Sequence, residues 1–143
     1  MARGYLLDTN VISETRKSRP DAGVIAFLSA AEPAGLFLSV LTLGELRKGV
    51  AAKRRTDPAA ADRLGAWVDG IETSFAEHVL PVDAAAARRW GELSANRTLP
   101  VIDTLIAATA ISSGLALVTR NTRDVESTGV ALVDPWHAPG QAR

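Results

Sequence analysis

The chain of 143 residues has no cysteine and only two histidines, His78 and His137. The lack of cysteine excludes disulfide bonds, thiolate nucleophiles and cysteine-ligated zinc sites. Two histidines without a partner pattern also argue against a histidine-rich metal site. Metal-binding or catalytic chemistry in this chain must therefore depend on oxygen ligands.

Long apolar runs are also missing. No stretch approaches the roughly 20 apolar residues that a membrane span needs, and the first residues lack the layout of a secretory signal. Ser13 and Ser39 have no plausible histidine and aspartate partners, which leaves a serine hydrolase poorly supported. A glycine-rich phosphate loop is absent as well. We therefore expect a cytoplasmic protein that is neither a serine hydrolase nor a phosphate-loop protein.

The chain carries no net charge, because 16 basic residues balance 16 acidic ones. This balance excludes attraction of the whole molecule to nucleic acid by bulk charge, so any such contact must be local. The basic residues do cluster, at 16–19, 47–48, 53–55, 88–89 and 120–123. Each cluster is either a solvated helix face or a local contact for an anionic partner.

Hydrophobic residues make up 47% of the chain and aromatic residues only 5%, which indicates one domain with an aliphatic core. Short apolar segments predict strands at about 3–7, 35–40, 78–82, 115–119 and 129–133. Helical patterns lie between them, at about 11–17, 21–31, 41–55, 58–71, 83–97 and 104–113. Residues 120–128 are predicted to be a polar loop, and Pro135 and Trp136 to begin a loose tail. This alternation predicts an α/β fold with a largely parallel sheet.

Four acidic residues fall near the carboxyl ends of the predicted strands, where open parallel sheets place their functional crevice. Asp8 ends the first strand, and Asp124 follows the fourth. Glu45 lies one turn into the helix after the second strand, and Asp103 begins a buried helix. Several carboxylates at one place suit a hard divalent cation such as Mg²⁺. Such ions activate water and stabilise the leaving oxygen of a phosphodiester.

Each of these acids also has a structural explanation on its own. Asp8 would cap the helix that follows it, and Asp103 would interact favourably with the N-terminal end of a helix dipole. Asp124 would be an ordinary residue of a polar turn. Glu45 would be a surface residue, although its helix face carries small and apolar neighbours. From the residues alone, both explanations remain open.

Four segments of the sequence resemble the PIN-domain family, and within it the VapC-type toxins of bacterial toxin–antitoxin pairs, including the FitB-like branch. The resemblance extends over almost the whole chain, from Tyr5 to Trp136. It is carried by four blocks in the same order: Tyr5–Glu14 (YLLDTNVISE), Leu38–Gly49 (LSVLTLGELRKG), Ile102–Ala110 (IDTLIAATA) and Leu117–Asp124 (LVTRNTRD).

The resemblance implies a single PIN domain over residues 1–136, with a five-stranded parallel sheet flanked by helices and a loose tail at 137–143. It implies that Asp8, Glu45, Asp103 and Asp124 are the catalytic metal ligands for Mg²⁺ or Mn²⁺, supported by Thr119 and Asn121. The implied activity is hydrolysis of RNA, commonly transfer RNA or a ribosomal RNA loop. The implied partners are a VapB-like antitoxin and a second copy of the chain in a homodimer.

Two residues depart from the family pattern. Asn121 stands where many PIN domains have a further aspartate, which affects a second metal position, and Val125 replaces a phenylalanine. Two other functions remain as alternatives: a catalytically silent PIN module that only binds, and a DNA-directed or structure-specific nuclease. The expected RNA contacts are the basic residues nearest the predicted site, namely Arg47, Lys48, Arg120 and Arg123.

Overall fold

The computed structural model describes residues 4–136. Within this range, five parallel strands form one sheet in the order β3-β2-β1-β4-β5. The strand β1 lies at the centre and pairs with β2 and β4. The predicted parallel α/β fold is therefore confirmed. The strands are β1 (Tyr5–Leu7), β2 (Leu36–Ser39), β3 (Val79–Leu80), β4 (Ala116–Val118) and β5 (Leu132–Val133).

Helices connect the strands and cover both faces of the sheet. Aspartate side chains cap the N-termini of four of them, where Asp8, Asp21, Asp57 and Asp83 accept backbone N–H groups. None of the helices in the described residues is both long and apolar enough to cross a membrane. The helices are α1 (Thr9–Glu14), α2 (Ala22–Ala30), α3 (Val40–Arg54), α4 (Pro58–Phe75), α5 (Ala84–Ser94), α6 (Val101–Ser112) and α7 (Thr122–Val125).

Two hydrophobic clusters form the core, one on each face of the sheet. Because side chains alternate along a strand, Leu7 of β1 packs in one cluster and Leu6 in the other, both almost fully buried. The first cluster also includes residues of α1 to α4. The second includes Ile106, Ala107 and Ala110 of α6, the helix that the sequence predicts to be apolar nearly all round. The central strand is thus held from both sides.

Several element boundaries differ from the predicted ones. The helix α6 begins at Val101, three residues earlier than predicted. Pro100 lies at its N-cap, where the missing backbone N–H of proline removes no hydrogen bond from the first turn. Asp103 therefore lies within the first turn instead of before it. The predicted polar loop at 120–128 contains α7 and a 3₁₀ turn, Glu126–Thr128. The strands β3 and β5 have only two residues each.

The prediction that Pro135 and Trp136 begin a loose tail is wrong. Pro135 is buried, and Trp136 packs against the first hydrophobic cluster. The backbone N–H of Trp136 donates to Oδ1 of Asp134 at 3.0 Å, which forms a local turn after β5. Residues 137–143, predicted as the tail, lie outside the described residues, and so does His137.

Candidate metal centre

Asp8 lies directly after the central strand and is held by its neighbours in the sheet. Its side chain is only 7% exposed. Oδ2 accepts a hydrogen bond from Thr119 Oγ1 at 2.7 Å, and Oδ1 accepts one from the backbone N–H of Thr9 at 2.8 Å. Burial raises the pKa of Asp8, although these two hydrogen bonds oppose the shift. A buried carboxylate with this orientation favours a nearby cation.

Glu45 approaches the same place from α3. Its carboxylate is exposed and accepts a hydrogen bond from Thr9 Oγ1 at 2.5 Å. Thr9 Oγ1 also lies 3.2 Å from the hydroxyl of Thr42, a fully buried residue one turn before Glu45. The residue that follows Asp8 in the chain thus fixes the position of Glu45.

Asp103 and Asp124 complete a group of carboxylates around one crevice. Partial burial and, to a smaller extent, the negative charges of Asp8, Asp124 and Glu45 together raise the pKa of Asp103 to about 6. Because such interactions weaken with distance, the effect of all three charges on Asp103 indicates that the four carboxylates lie in the same region of the fold. No side chain or backbone group of the described residues donates a hydrogen bond to the carboxylate of Asp103 or Asp124.

The chemistry of these residues fits a hard divalent cation. Carboxylate oxygens are the ligands that Mg²⁺ and Mn²⁺ prefer, and a positive charge would relieve the repulsion that raises the pKa of Asp103. Within residues 4–136, however, no three acidic or histidine side chains are close enough to form a ready coordination cluster. The fold therefore gathers the four carboxylates without closing a complete ligand shell.

The predicted supporting residues contribute in different ways. Thr119 is 1% exposed and donates to Asp8, while its own oxygen accepts the backbone N–H of Asn121 at 3.0 Å. Asn121 is exposed and contributes this N–H to the described network. Asn10, which sequence reasoning missed, donates from Nδ2 to Thr119 Oγ1 at 3.3 Å.

Thr9 and Thr42 were also missed by sequence reasoning. Both belong to the blocks that carry the family resemblance, next to Asp8 and one turn before Glu45. The sequence signal that could have identified them is a hydroxyl side chain close to Asp8 and another close to Glu45. Its meaning depends on the packing of α1 against α3, which brings the two hydroxyls together.

The comparisons with known proteins show the family of this chain. A family model for the PIN domain matches residues 5–129. The chain belongs to the PIN-domain family. It is 39% identical to the VapC ribonuclease Y4jK of Sinorhizobium fredii, over 92% of this chain and 96% of that protein. Nucleases of the family are generally metal-dependent.

Two further matches place this PIN domain near the FitB branch that the sequence resembles. It is 33% identical to Toxin FitB of Neisseria gonorrhoeae, over 92% of this chain and 98% of that protein. The crystal structure of FitAcB from the same organism matches with a TM-score of 0.86 at 32% identity. That match covers 94% of this chain and 99% of the other. The family and the fold expected from the sequence are confirmed.

The four residues predicted to contact RNA differ in their surroundings: one forms ion pairs, and three are exposed without them. The Arg47 guanidinium forms ion pairs with Asp69 at 2.6 Å and Glu72 at 2.9 Å, which join α3 to α4. Arg47 therefore has a structural role in the folded chain. The other three predicted contacts, Lys48, Arg120 and Arg123, have exposed side chains. None of these three forms an ion pair with another residue in the range 4–136.

Two surface grooves of the PIN domain meet at Glu45. One has a volume of about 330 Å³ and is lined by Ser13, Arg16 and Trp67, among others. The second has a volume of about 580 Å³, and its lining includes Lys48 and Ile102. Glu45 thus lies between two grooves that carry both positive and apolar side chains.

Proposed function

We propose that this PIN domain is the toxin endoribonuclease of a type II toxin–antitoxin pair. The observation that carries the proposal is the group of four carboxylates near the carboxyl end of β1, in which burial and the neighbouring negative charges raise the pKa of Asp103. The similarity to a VapC ribonuclease and to Toxin FitB supports the same activity. The proposed substrate is RNA, as transfer RNA or a ribosomal RNA loop.

The proposed catalytic residues are Asp8, Glu45, Asp103 and Asp124, which would hold Mg²⁺ or Mn²⁺. When bound, the ion supplies positive charge that lowers the pKa of water and stabilises the leaving oxygen of a phosphodiester. Thr119 orients Asp8, and Thr9 orients Glu45, through the hydrogen bonds described above. The proposed reaction adds water across the phosphodiester bond of RNA. The products are a 5′-phosphate and a 3′-hydroxyl.

RNA binding is assigned to the exposed cations near the crevice, namely Lys48, Arg120 and Arg123. Since the chain has no net charge, a few local contacts must supply the electrostatic attraction, and affinity should fall as salt rises. Neutralising Arg120 and Arg123 should weaken RNA binding and reduce its salt dependence. Neutralising Arg88 and Arg89 is the matched control. An equal loss of RNA binding in that variant would mean that the face assigned to the RNA is wrong.

The test is cleavage of labelled RNA by the purified protein with Mg²⁺, with Mn²⁺ and with a chelator. We expect cleavage only with metal, and mapped product ends with a 5′-phosphate and a 3′-hydroxyl. A 2′,3′-cyclic phosphate would overturn the hydrolytic mechanism, because it forms by attack of the RNA's own 2′-hydroxyl. Matched RNA and DNA hairpins distinguish a ribonuclease from a DNA-directed enzyme. No heat of metal binding in calorimetry would indicate a catalytically silent module.

The proposed macromolecular partner is a VapB-like antitoxin. An acidic crevice beside apolar grooves suits a peptide that brings an arginine or lysine to the carboxylates and covers the grooves with apolar side chains. The protein encoded beside this gene should bind the chain through its C-terminal segment and inhibit cleavage. A neighbour that neither binds nor inhibits would overturn the toxin-pair assignment and leave the nuclease assignment standing.

We also propose that the chain forms a homodimer and acts in the cytoplasm, where its RNA substrate is found. Three large apolar side chains, Val40, Val101 and Ile102, are 40%, 56% and 38% exposed near the larger groove, which supports association with a second copy. Light scattering at micromolar concentration checks this proposal. A monomeric mass at that concentration would contradict it.

A further inference from the structure

The backbone of Arg120 lies next to the residues that hold Asp8. It follows Thr119 in the chain, and its backbone N–H donates to Asn10 Oδ1 at 3.4 Å. Asn10 in turn donates to Thr119 and, more distantly, to Asp8. The backbone of Arg120 is thus connected to the residues that hold Asp8, while its long side chain extends from that fixed point.

The Arg120 guanidinium lies over the indole ring of Trp136, with Cζ 5.2 Å from the ring centroid. An aromatic face attracts a cation and restricts its side chain without neutralising its charge. This contact differs from the ion pairs of Arg47 with Asp69 and Glu72, in which carboxylates use the positive charge. No carboxylate of the described residues forms an ion pair with Arg120, so its positive charge stays available.

Trp136 is a fixed platform because the turn that carries it is packed into the fold. Pro135 is buried, and a Cβ atom added to Gly23 would lie 2.2 Å from its carbonyl oxygen. The N-terminus of α2 therefore presses directly on this turn. Trp136 also packs against the first hydrophobic cluster, so the ring remains in place when no ligand is bound.

Glu14 anchors the segment that leads into α2. Its carboxylate is 5% exposed and accepts the backbone N–H of Asp21 at 2.9 Å, and Lys17 pairs with its other oxygen at 2.9 Å. Lys17, the Asp21 N–H and, more weakly, the charge of Arg120 lower the pKa of Glu14. The negative charge of Glu14 on α1 thus acts on Arg120 without forming an ion pair with it.

We propose that Trp136 is a positioning residue that holds the Arg120 guanidinium at the rim of the crevice, ready to bind a phosphate of the RNA. The proposal rests on the ribonuclease function proposed above and adds a residue outside the four carboxylates and their hydroxyl partners. Without the indole, the flexible Arg120 side chain is no longer held in one position, and its contact with the RNA backbone is weakened. Loss of the ring should therefore remove one phosphate contact although the charge remains in the chain.

The test measures binding of a fluorescently labelled RNA stem-loop to the full chain in chelator, over a range of salt concentrations. Arg120→Gln should reduce the slope of log affinity against log salt by about 0.7 to 0.9, which at about 0.1 M salt corresponds to roughly five- to eightfold weaker binding. Trp136→Leu should produce the same change. The double variant should bind no more weakly than either single one, because both remove one contact.

Matched variants separate positioning from folding. Trp136→Phe keeps an aromatic face and should retain most of the wild-type slope. Trp136→Met fills the space without an aromatic face and should show the reduced slope. Trp136→Met also replaces Trp136→Leu in the test if that variant folds poorly. Trp90→Leu, another partly buried tryptophan, should leave the slope unchanged. If the effects of Arg120→Gln and Trp136→Leu multiply, or if Trp136→Leu changes only the melting temperature, the positioning role is wrong. If the wild type shows no salt-dependent RNA binding, the proposed function fails as well.

Discussion

The two sides of the acidic crevice are built differently. On one side, Asp8 and Glu45 accept hydrogen bonds from Thr119 and Thr9, and Asp8 is nearly buried. On the other side, Asp103 and Asp124 receive no hydrogen bond from the described residues, and Asp103 has its pKa raised to about 6 by burial and by the neighbouring charges. One side is oriented by hydrogen bonds, whereas the other receives none from the described residues.

This difference suggests how the crevice would respond to a cation. The Asp8–Glu45 side needs little rearrangement, because its hydrogen bonds already fix both carboxylates. The Asp103–Asp124 side lacks such partners and is free to move toward a positive charge. Within residues 4–136, no three acidic or histidine side chains form a ready coordination cluster. Substitutions on each side should therefore have different consequences.

The largest effect is expected from Asp8→Asn, on the oriented side. If Asp8 is a metal ligand, cleavage should fall about a thousandfold or more, because metal catalysis supplies several kcal/mol. Added Mg²⁺ or Mn²⁺ should raise the melting temperature of the wild type but that of the variant much less. In chelator the variant should be at least as stable as the wild type, since one repelling charge is removed.

The exposed Glu126→Gln is the control for Asp8→Asn, and it should change neither cleavage nor the response to metal. A purely capping role for Asp8 gives a different pattern. Asparagine also caps well, so the variant would be mild, and Asp8→Ala would cost about 1 kcal/mol with or without metal. Retained cleavage and an unchanged metal response in Asp8→Asn would remove Asp8 from the site.

The second effect compares the hydroxyls that orient the two carboxylates. Thr119→Val removes the buried hydrogen bond to Asp8 and should reduce metal affinity about 10- to 100-fold, the range typical of residues that orient ligands. Thr9→Val removes an exposed hydrogen bond to Glu45 and should have a smaller effect. Calorimetric titration with Mn²⁺ measures both.

Thr109→Val is the matched control for Thr119→Val. Thr109 is equally buried, at 1% exposed, but its hydroxyl donates to the carbonyl of Leu105 within α6. It should leave metal affinity unchanged. Equal losses in Thr109→Val and Thr119→Val would mean that general destabilisation, and not orientation of Asp8, lowers the affinity.

The third effect is a pH dependence from the other side of the crevice. The pKa of Asp103 is about 6 in the folded chain and has an ordinary value of 3.8, so the folded state binds the proton more tightly. The metal-free protein should therefore lose stability as pH rises from about 4 to about 6. Asp103→Asn should reduce this loss, as measured by urea unfolding in chelator at a series of pH values. The same slope in both proteins would contradict the assignment.

The smallest effect is expected outside the crevice, at Arg47. Arg47→Gln breaks two partly exposed ion pairs between α3 and α4 and should lower the free energy of unfolding by about 1 kcal/mol or less. Its salt dependence of RNA binding should match that of the wild type, whereas Lys48→Gln should reduce it. A reduced salt dependence of RNA binding in Arg47→Gln would show that Arg47 contacts the RNA.

The elements that could be predicted from the sequence are those with a strong local pattern. The apolar segment before Asp8 and the nearly all-apolar pattern after Pro100 indicate burial, so the central strand and most of α6 were predicted. The first turn of α6 was missed, and it exposes Val101 and Ile102. The short helix α7 was missed because its four residues, Thr122–Val125, are too few for a helical pattern. The two-residue strands β3 and β5 are defined by their pairing with β2 and β4, which no local pattern contains.

The sequence by itself determined the fold class, the family and the oxygen-ligand chemistry of the candidate site, because hydrophobic periodicity and residue type are local properties. Only the tertiary structure decided which side chains meet. It brought Thr9 of α1 to Glu45 of α3, bound Arg47 to α4, and placed Trp136 under Arg120. These contacts join residues distant in the chain, and their geometry depends on how helices pack on the sheet. The arrangement of Trp136 beneath Arg120 was therefore not available from the chain's order of residues.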